Sequence, residues 1–327
     1  MLIITAPANI KYFSGVELET YERFSALVIC RDGKSAFVAP KLDEGRIKGL
    51  VFSYADGEDP AEALRKAAEI CGGDRQVEVD GGTTARGLEV VKRALGTAEY
   101  KIADEYIYAR RAVKRGDEIE KIKRAARAIR EVVEEAGAEL EAGATERSTA
   151  ARIYLRLIER GLEPGPILVQ FGENTALPHQ GPTNKRLSEG DAVIIDVTAA
   201  YQGYYGDITR SLAFRGRPEG YEDVYEAVRE AQAAAIRAAR AGVAAREVDA
   251  AARAALRARG FAEYFVHRTG HGLGVEFHER PDISPASAEV LQDGNVFTIE
   301  PGVYLPGRFG VRIEDDVALV GGVAEIL

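Results

Sequence analysis

The first hydrophobic pattern along the chain consists of short runs of the kind found in β-strands. Residues 26–30 and 35–39 are β-type runs of mainly apolar residues, and the tetrapeptide 31–34 between them is polar and contains a glycine. Two apolar runs around such a tetrapeptide are typical of a β-hairpin. We therefore predict a hairpin in this part of the chain.

After the hairpin, the spacing of the apolar residues alternates between patterns typical of helices and of strands. Residues 60–70 have the spacing of a helix, and Asp59 before them is a suitable N-terminal cap. Residues 77–80 predict a strand, and residues 89–95 predict a second short helix. Together these segments predict a small α/β domain over residues 1–111. This domain contains no histidine, and its acidic residues show no ligand-like clustering.

A different pattern begins near residue 112. Over residues 117–140, apolar side chains recur at intervals of three and four, which predicts a long amphipathic helix. Further helices, strands and loops follow it along the chain. The change of pattern places a domain boundary near residue 112, so that residues 112–327 form a second domain.

The second domain contains one pattern twice. Each copy has a helical segment bounded by an Ala-Gly and an Arg-Gly pair, then a turn and an apolar strand that closes on a carboxylate, then a short acidic segment. Three pairs of matching segments in the same order predict two similar halves related by a pseudo-two-fold axis. The matching segments are 142–161 with 241–260, 187–196 with 291–300, and 206–209 with 313–316.

Composition narrows the class of protein. With 327 residues, of which 46% are hydrophobic, the chain can bury a large core and is too apolar to be disordered. Its net charge of -9 argues against nucleic acid or an anionic membrane as a partner, and no apolar run approaches the length that spans a bilayer. A bridge between Cys30 and Cys71 is formally possible, but the simpler expectation is two reduced thiols in a cytoplasmic protein.

Four carboxylates take equivalent positions in the two halves of the second domain. Asp196 closes one apolar strand and Glu300 closes its counterpart, while Asp207 and Glu314 lie on the strand that follows in each half. One such carboxylate alone is more often a cap or a turn residue, but the pseudo-symmetry brings all four toward one axis. Four negative charges at close range stay ionised only if cations compensate them, and two divalent cations would supply that charge.

All four histidines of the chain lie in the second domain: His179, His267, His271 and His278. Three of them fall within residues 265–281, where glycines next to His271 let backbone and ring approach a crowded site. On its own, His271 is either a metal ligand or a hydrogen-bonded core histidine. One imidazole with four carboxylates is a hard-to-borderline ligand set, which suits Mn, Co, Fe or Zn.

These motifs resemble those of the pita-bread metallopeptidases, the family of methionine aminopeptidase, Xaa-Pro aminopeptidase and Xaa-Pro dipeptidase (prolidase). The resemblance covers nearly all of residues 112–327, and the first domain resembles the N-terminal domain of the proline-directed members, notably at 9–15. It implies an α/β N-terminal domain followed by an α+β pita-bread catalytic domain with internal pseudo-two-fold duplication. The matching residues are Asp196, Asp207, Gly270-His271-Gly272 with His278, 299–302 and 311–315.

The resemblance also implies a ligand set for two divalent metal ions. Asp196 would bind one ion, and His271 with Glu300 would bind the other. Asp207 and Glu314 would bridge both ions. A pair of ions held in this way would activate a water and polarise the scissile carbonyl group.

Further roles are implied for residues around the ions. Glu300 would shuttle a proton, and His179 and His278 would contact the substrate and the tetrahedral intermediate. Arg312 lies two residues before Glu314, so on a strand both side chains face the same way, and it would orient a ligand or contact substrate. Without the resemblance, His179 is equally a solvated histidine of a surface loop.

The activity implied is hydrolysis of the Xaa-Pro bond of dipeptides, with an Xaa-Pro aminopeptidase that acts on longer peptides as the alternative. A non-catalytic pita-bread module that binds peptides ranks lower, because such members lose metal ligands. The short N-terminal domain favours a dipeptidase, in which the same domain of a partner subunit closes over the pocket of a homodimer.

One segment departs from the family pattern. Archaeal dipeptidases often carry an arginine just after the His-Glu-x-Pro segment, where this chain has Asp282. Arg280 is a candidate substitute for the recognition of a C-terminal carboxylate. Arg268 and Arg280 are each either a substrate contact or a solvated charge, and His267 is expected to pack behind His271.

Overall fold

A computed structural model describes residues 1–18, 20–72, 76–96 and 99–327. The chain divides into two compact units, Met1–Arg111 and Ala112–Leu327. The first unit is α/β, and the second combines helices with antiparallel sheets.

The first unit contains one six-stranded mixed sheet in the order β4-β3-β2-β1-β5-β6. Strand β2 is antiparallel to both of its neighbours, and the other neighbouring strands are parallel. In chain order the elements are β1 (Leu2–Ile4), α1 (Pro7–Ser14), β2 (Ala26–Ile29), β3 (Ser35–Pro40), β4 (Val51–Tyr54), α2 (Pro60–Glu69), β5 (Val77–Val79), α3 (Ala85–Leu95), β6 (Tyr100–Ile102) and α4 (Asp104–Ala112).

The local predictions for the first unit agree with these elements. Strands β2 and β3 form the predicted hairpin. Helix α2 starts behind Asp59, whose carboxylate accepts a hydrogen bond from the Ala61 N–H at 3.0 Å. Helix α3 begins earlier than predicted because the Thr84 hydroxyl caps it, accepting from the Gly87 N–H at 3.0 Å. The prediction missed this cap, because the apolar spacing alone starts later.

The two cysteines form a disulfide, so the expectation of two reduced thiols is wrong. Cys30 directly follows β2, and Cys71 lies just beyond α2. The packing of this helix on the sheet brings their Cα atoms to 5.1 Å across a sequence separation of 41 residues. A count of cysteines carries no information about such a contact. With the correction, the cysteine-based argument for a cytoplasmic location is lost.

The second unit contains four α-helices and three sheets among the residues described. The sheets have the orders β7-β8-β9, β11-β10-β12-β15-β16 and β13-β14. The elements are α5 (Gly116–Ala138), α6 (Glu146–Glu159), β7 (Glu163–Phe171), β8 (Ala192–Tyr201), β9 (Tyr204–Ala213), α7 (Tyr221–Ala238), α8 (Ala245–Ala258), β10 (Gly270–Gly272), β11 (Glu279–Ile283), β12 (Val296–Ile299), β13 (Gly302–Leu305), β14 (Phe309–Arg312), β15 (Asp315–Val320) and β16 (Val323–Ile326).

The predicted long helix is confirmed as α5. Its apolar stripe, which includes Ile122, Ile129 and Val132, is completely buried in a cluster with α6 and strands β7 to β9. Helices α7 and α8 pack in a second cluster with strands β12 to β15. Each fully buried Ile or Val side chain stabilises the fold by roughly 1.5–3 kcal/mol.

The internal duplication is confirmed by hydrogen bonds that recur in the two halves. In the first half the Gly143 N–H donates to the Leu187 carbonyl at 2.8 Å, and in the second the Gly242 N–H donates to the Leu291 carbonyl at 2.8 Å. Each bond ties the start of a helix, α6 or α8, to the turn before a strand. The antiparallel pair β8–β9 then corresponds to the antiparallel pair β12–β15.

In the part of the chain that the structure describes, no helix combines the length and the apolar character needed to cross a bilayer.

Candidate active site

A cavity of about 410 Å³ lies in the second unit, and all eight predicted site residues line it. Its wall also includes apolar side chains, among them Leu168 and Phe277, and the polar residues His267 and Arg268. The fold thus gathers residues that are far apart in the sequence. The eight are His179, Asp196, Asp207, His271, His278, Glu300, Arg312 and Glu314.

Strand pairing explains how Asp196 and Asp207 come to the same place. In the β8–β9 hairpin, Asp196 pairs with Thr209 and Thr198 pairs with Asp207. Residues two apart on a strand face the same side, so both carboxylates project from one face of the hairpin. The apolar residues that alternate with Asp196 on β8 face the core instead: Val193, Ile195 and Val197.

The second half supplies the other two carboxylates at the ends of strands. Glu300 directly follows β12, and Glu314 directly precedes β15. Three hydrogen bonds join Glu314 to the first half. Its N–H donates to the Thr209 carbonyl at 3.2 Å, its carboxylate accepts from the Thr209 hydroxyl at 2.5 Å, and its carbonyl accepts from Arg210 Nη1 at 2.6 Å. These bonds fix the carboxylates of one half against those of the other.

Burial and mutual repulsion dominate the electrostatics of these acids. Burial raises the pKa of Asp207 and of Glu314 well above the ordinary range of a carboxyl group, and the negative charges of the neighbouring carboxylates raise both further. Burial also raises the pKa of Glu300 to about 7, although the charge of Arg312 opposes the shift. Without compensating positive charge, these carboxyls therefore hold protons that exposed ones would release.

Three side chains are arranged to hold a metal ion. Asp207, His271 and Glu314 each present a ligand atom, and the three atoms lie within 4.8 Å of one another. The Oδ1 atom of Asp207 is buried and has no hydrogen-bond partner among the described residues. A buried, unpartnered carboxylate oxygen is costly, and a bound cation would satisfy it.

His271 is in the protonation state that a metal ligand needs. Its Nδ1 atom lies 3.2 Å from the Gly272 carbonyl, which leaves Nε2 with its lone pair toward the carboxylates. Burial lowers the pKa of His271 well below its usual value, so the ring stays neutral. The flanking glycines are required by space, because a Cβ at Gly270 would lie 1.9 Å from the Thr298 carbonyl oxygen.

Asp196 and Glu300 lie beside this trio rather than within it. The Arg312 guanidinium donates from Nη2 to Asp196 Oδ2 at 2.5 Å. Glu300 Oε1 lies 3.3 Å from His271 Nε2. All five predicted ligands therefore line one cavity; the candidate ligand atoms of three lie within 4.8 Å of one another, and the other two contact neighbouring side chains.

Arg312 is buried and donates to several parts of the site. Besides Asp196, it donates from Nη1 to the Tyr304 hydroxyl at 2.9 Å and from Nε to the Thr209 hydroxyl at 3.3 Å. The Tyr304 hydroxyl in turn lies 2.8 Å from His267 Nε2. These contacts favour the orienting alternative for Arg312. Its partners Tyr304 and Thr209 were missed: Tyr304 stands in no charged or histidine-containing motif, and in the segment 206–209 only the carboxylate of Asp207 was considered.

His179 lies on a loop that two buried side chains fasten. Gln170 donates from Nε2 to the carbonyls of Leu177 and Gln180, both at 2.9 Å, on either side of His179. Glu146, at the start of α6, is completely buried and receives four hydrogen bonds. The donors are Phe171 N at 2.8 Å, Asn174 Nδ2 at 2.8 Å, Thr183 N at 2.7 Å and Thr183 Oγ1 at 2.5 Å.

His278 contacts His271 and is anchored through its neighbour in sequence. The two imidazole rings meet edge to face, with centroids 4.1 Å apart. Glu279, the next residue, forms a buried ion pair with Lys114 at 2.9 Å. Burial is the main reason that the pKa of His278 is lowered, and the charge of Arg268 adds to it.

The sequence matches two family models. Residues 120–320 match metallopeptidase family M24, and residues 1–113 match the creatinase/prolidase N-terminal domain. The chain belongs to metallopeptidase family M24. The resemblance inferred from the motifs is therefore confirmed.

Solved structures of similar proteins confirm the pita-bread fold of this M24 chain. A dipeptidase from Pyrococcus horikoshii OT3 is 34% identical, with 99% of this chain and 92% of that chain covered and a TM-score of 0.93. A prolidase from Thermococcus sibiricus is 34% identical, with 99% and 91% covered and a TM-score of 0.93. An X-Pro aminopeptidase from Thermotoga maritima MSB8 is 30% identical, with 99% and 92% covered and a TM-score of 0.90.

Proposed function

We propose that this M24 peptidase is an Xaa-Pro dipeptidase that depends on two divalent metal ions. The observation that carries the proposal is the cluster of Asp207, His271 and Glu314, with a buried carboxylate oxygen that lacks a hydrogen-bond partner among the described residues. The similarity to a dipeptidase and a prolidase over nearly the whole chain supports the choice of substrate.

The two ions would share the carboxylates of both halves. Asp196 would complete the site of one ion, and His271 with Glu300 would complete the site of the other. Asp207 and Glu314 would bridge them, and Mn, Co, Fe or Zn suit this donor set. When bound, such ions supply Lewis acidity, which acidifies a water and polarises a carbonyl oxygen.

The side chains of the cavity wall would perform the proton transfers. Glu300 would accept a proton from the attacking water at a carboxylate oxygen and pass it to the leaving nitrogen. Its Oε1 atom lies 3.3 Å from His271 Nε2, so the carboxylate is next to the proposed metal ligands and lines the same cavity. His179 and His278 line the same cavity and would donate hydrogen bonds to the substrate and to the tetrahedral intermediate.

An Xaa-Pro aminopeptidase is the second candidate. The Thermotoga maritima enzyme of that name has nearly the same fold as this chain, with a TM-score of 0.90. The apolar part of the cavity wall suits a proline ring in either enzyme: Pro166, Leu168, Pro178 and Phe277. The two candidates differ in whether the residue after proline is accepted.

Parallel assays separate the candidates. Metal-free protein is loaded with Mn, Co or Zn and given Leu-Pro, a Leu-Pro-Xaa tripeptide and a Met-Ala-Xaa peptide. We expect metal-dependent cleavage of Leu-Pro in strong preference to the tripeptide. Equal or faster cleavage of the tripeptide would assign the protein as an aminopeptidase, and absence of cleavage with every metal would contradict the proposal.

We further propose that the active form is a homodimer in which the first domain of one subunit closes the pocket of its partner. The resemblance to the proline-directed members of the family supports this arrangement. Size-exclusion chromatography with activity measured across the peak tests it. A monomer that cleaves dipeptides alone would contradict the proposal.

A further inference from the structure

A dipeptide substrate brings an additional negative charge into a cavity that already holds four carboxylates. Its free C-terminal carboxylate therefore requires a cation in the wall, because an unpaired charge is costly in a partly buried site. Among the described residues that line the cavity, the guanidinium groups are those of Arg268 and Arg312.

Arg312 is already engaged within the protein. Its side chain is 3% exposed, and its three donor nitrogens point to Asp196, Tyr304 and Thr209. Withdrawing these donors for a substrate would leave the Asp196 carboxylate without its partner. Arg312 is therefore unsuited to binding a substrate carboxylate.

Arg268 has the opposite environment. Its side chain is 35% exposed, and Nη1 donates to Asp282 Oδ1 at 2.8 Å. Within the part of the chain that is described, its Nε and Nη2 groups donate to no protein atom. A guanidinium with two N–H groups on one edge matches the two oxygens of a carboxylate.

Asp282 holds the Arg268 side chain next to the site. It pairs with His271 across strands β10 and β11, and its second oxygen accepts a hydrogen bond from the Ser284 hydroxyl. The positive charge of Arg268 contributes to the lowered pKa of both His271 and His278, after the larger effect of burial. Arg268 itself lines the cavity in which the substrate would lie.

We propose that Arg268 binds the C-terminal carboxylate of the dipeptide and selects dipeptides over longer peptides. The selection follows because a longer peptide places a neutral amide at this point and loses the charged hydrogen bonds. Asp282, at the position where the family pattern has an arginine, then acts as the residue that orients Arg268. Arg280 lies outside the cavity wall, with Nε 3.5 Å from Glu289 Oε1. This inference rests on the proposed function.

The test compares Leu-Pro with its amide, Leu-Pro-NH2, which differs only in lacking the terminal charge. Kinetic constants are measured for the manganese-loaded wild type, Arg268→Gln and Arg268→Lys. We expect Arg268→Gln to raise KM for Leu-Pro by about 10- to 100-fold, with less than about a twofold change in KM for the amide. Arg268→Lys should restore part of the affinity for Leu-Pro, because it returns the charge without the planar fork.

The matched control is Arg280→Gln, which removes a nearby guanidinium from outside the cavity and should leave both KM values unchanged. Equal changes for Leu-Pro and the amide in Arg268→Gln, or no change for either, would overturn the role of Arg268 while the dipeptidase activity stands. A wild type that cleaves neither compound would instead contradict the proposed function and this inference with it. Melting temperatures of the variants verify that they are folded.

Discussion

Whether this cavity can hold metal ions depends on single residues, and Asp207 is the residue whose environment most requires a cation. It is fully enclosed, it contributes to the trio of ligand atoms, and its Oδ1 oxygen lacks a hydrogen-bond partner among the described residues. Its backbone N–H donates separately to Asp316 Oδ2 at 3.0 Å, so the main chain is held independently of the carboxylate. The ligand and the local fold can therefore be tested apart.

We predict that Asp207→Asn lowers activity by more than about 100-fold and reduces the number of bound ions. An amide presents one neutral oxygen where two ions would share a charged carboxylate. Peptidase assays and elemental analysis of the purified variant measure both effects. Full turnover with unchanged metal content would remove Asp207 from the ligand set. The exposed Asp223→Asn variant on α7 serves as the control.

At this scale the sequence was most informative about charged residues that occur in pairs. Asp196 and Glu300 could be proposed because equivalent strands end in both, and the structure places both on the cavity wall. Tyr304 and Gln170 could not be proposed in this way. Their roles depend on contacts with Arg312 and with the carbonyls around His179, which only the folded chain creates.

Among the elements, the loop between β7 and β8 depends most on one buried group. Four donors surround the Glu146 carboxylate: one is the N–H of the last residue of β7, and the other three belong to the loop that carries His179. A carboxylate can accept from all four, whereas a glutamine amide turns an NH2 group toward donors.

We predict that Glu146→Gln destabilises the fold by about 1–3 kcal/mol and raises KM through displacement of the His179 loop. Urea unfolding and steady-state kinetics measure the two effects. Glu159→Gln at the other, exposed end of α6 is the matched control and should change stability by less than about 0.5 kcal/mol. An unfolding midpoint equal to that of the control would contradict the prediction.

The disulfide links two other elements, the end of β2 and the segment after α2. A covalent link across 41 residues restricts the unfolded chain and stabilises the fold by about 4 kcal/mol in the chain-entropy model. We predict that reduction lowers the unfolding midpoint of the first unit. Spectroscopic unfolding with and without reductant measures the effect, and the double variant Cys30→Ser with Cys71→Ser should no longer respond to reductant. An unchanged midpoint after complete reduction would count against it.

Secondary-structure elements could be predicted from the local spacing of apolar residues, whereas contacts between distant segments could not. The spacing of Ile122, Ile129 and Val132 was enough to predict α5, because one stripe of a helix faces the core. The contact between Cys30 and Cys71 was not predictable, because it depends on how α2 packs on the sheet.

For the whole molecule, stability and metal binding are linked through buried acids. Burial raises the pKa of Glu300 from 4.5 to about 7, and it raises the pKa of Asp207 and Glu314 in the same direction. The folded, metal-free protein therefore binds more protons than the unfolded chain between these pH values. The contribution of these groups to the stability is therefore fully present below pH 4.5 and is lost as the pH rises through 7.

Three of the histidines have lowered pKa values and give the opposite dependence below pH 6.5, so the acids act alone only above that pH. We predict that the melting temperature of the metal-free protein falls as the pH rises from 6.5 through 7, and that manganese reverses the fall. The stabilisation by manganese should be larger above pH 7, because the ions bind deprotonated carboxylates. Scanning calorimetry across a pH series measures both slopes. Glu300→Gln should flatten part of the dependence, and a metal-free melting temperature that rises with pH across the window would contradict the assignment of these shifts.

The duplicated architecture of the second unit was predictable, since repeated turns and strands leave the same pattern in the sequence. The way the two copies meet was not. The bonds from Thr209 and Asp207 to Glu314 and Asp316 join residues of different halves, and no spacing along the chain encodes them.

Those bonds across the two halves have a consequence for ancestry. Each repeat contributes only two of the four acids, so one repeat on its own would lack two of the proposed metal ligands. A forerunner built from a single repeat would have needed to associate with a second copy before it could bring all four acids together. After fusion, the two copies could diverge except at the residues that hydrogen-bond between the halves, where a change in one half must remain compatible with the other.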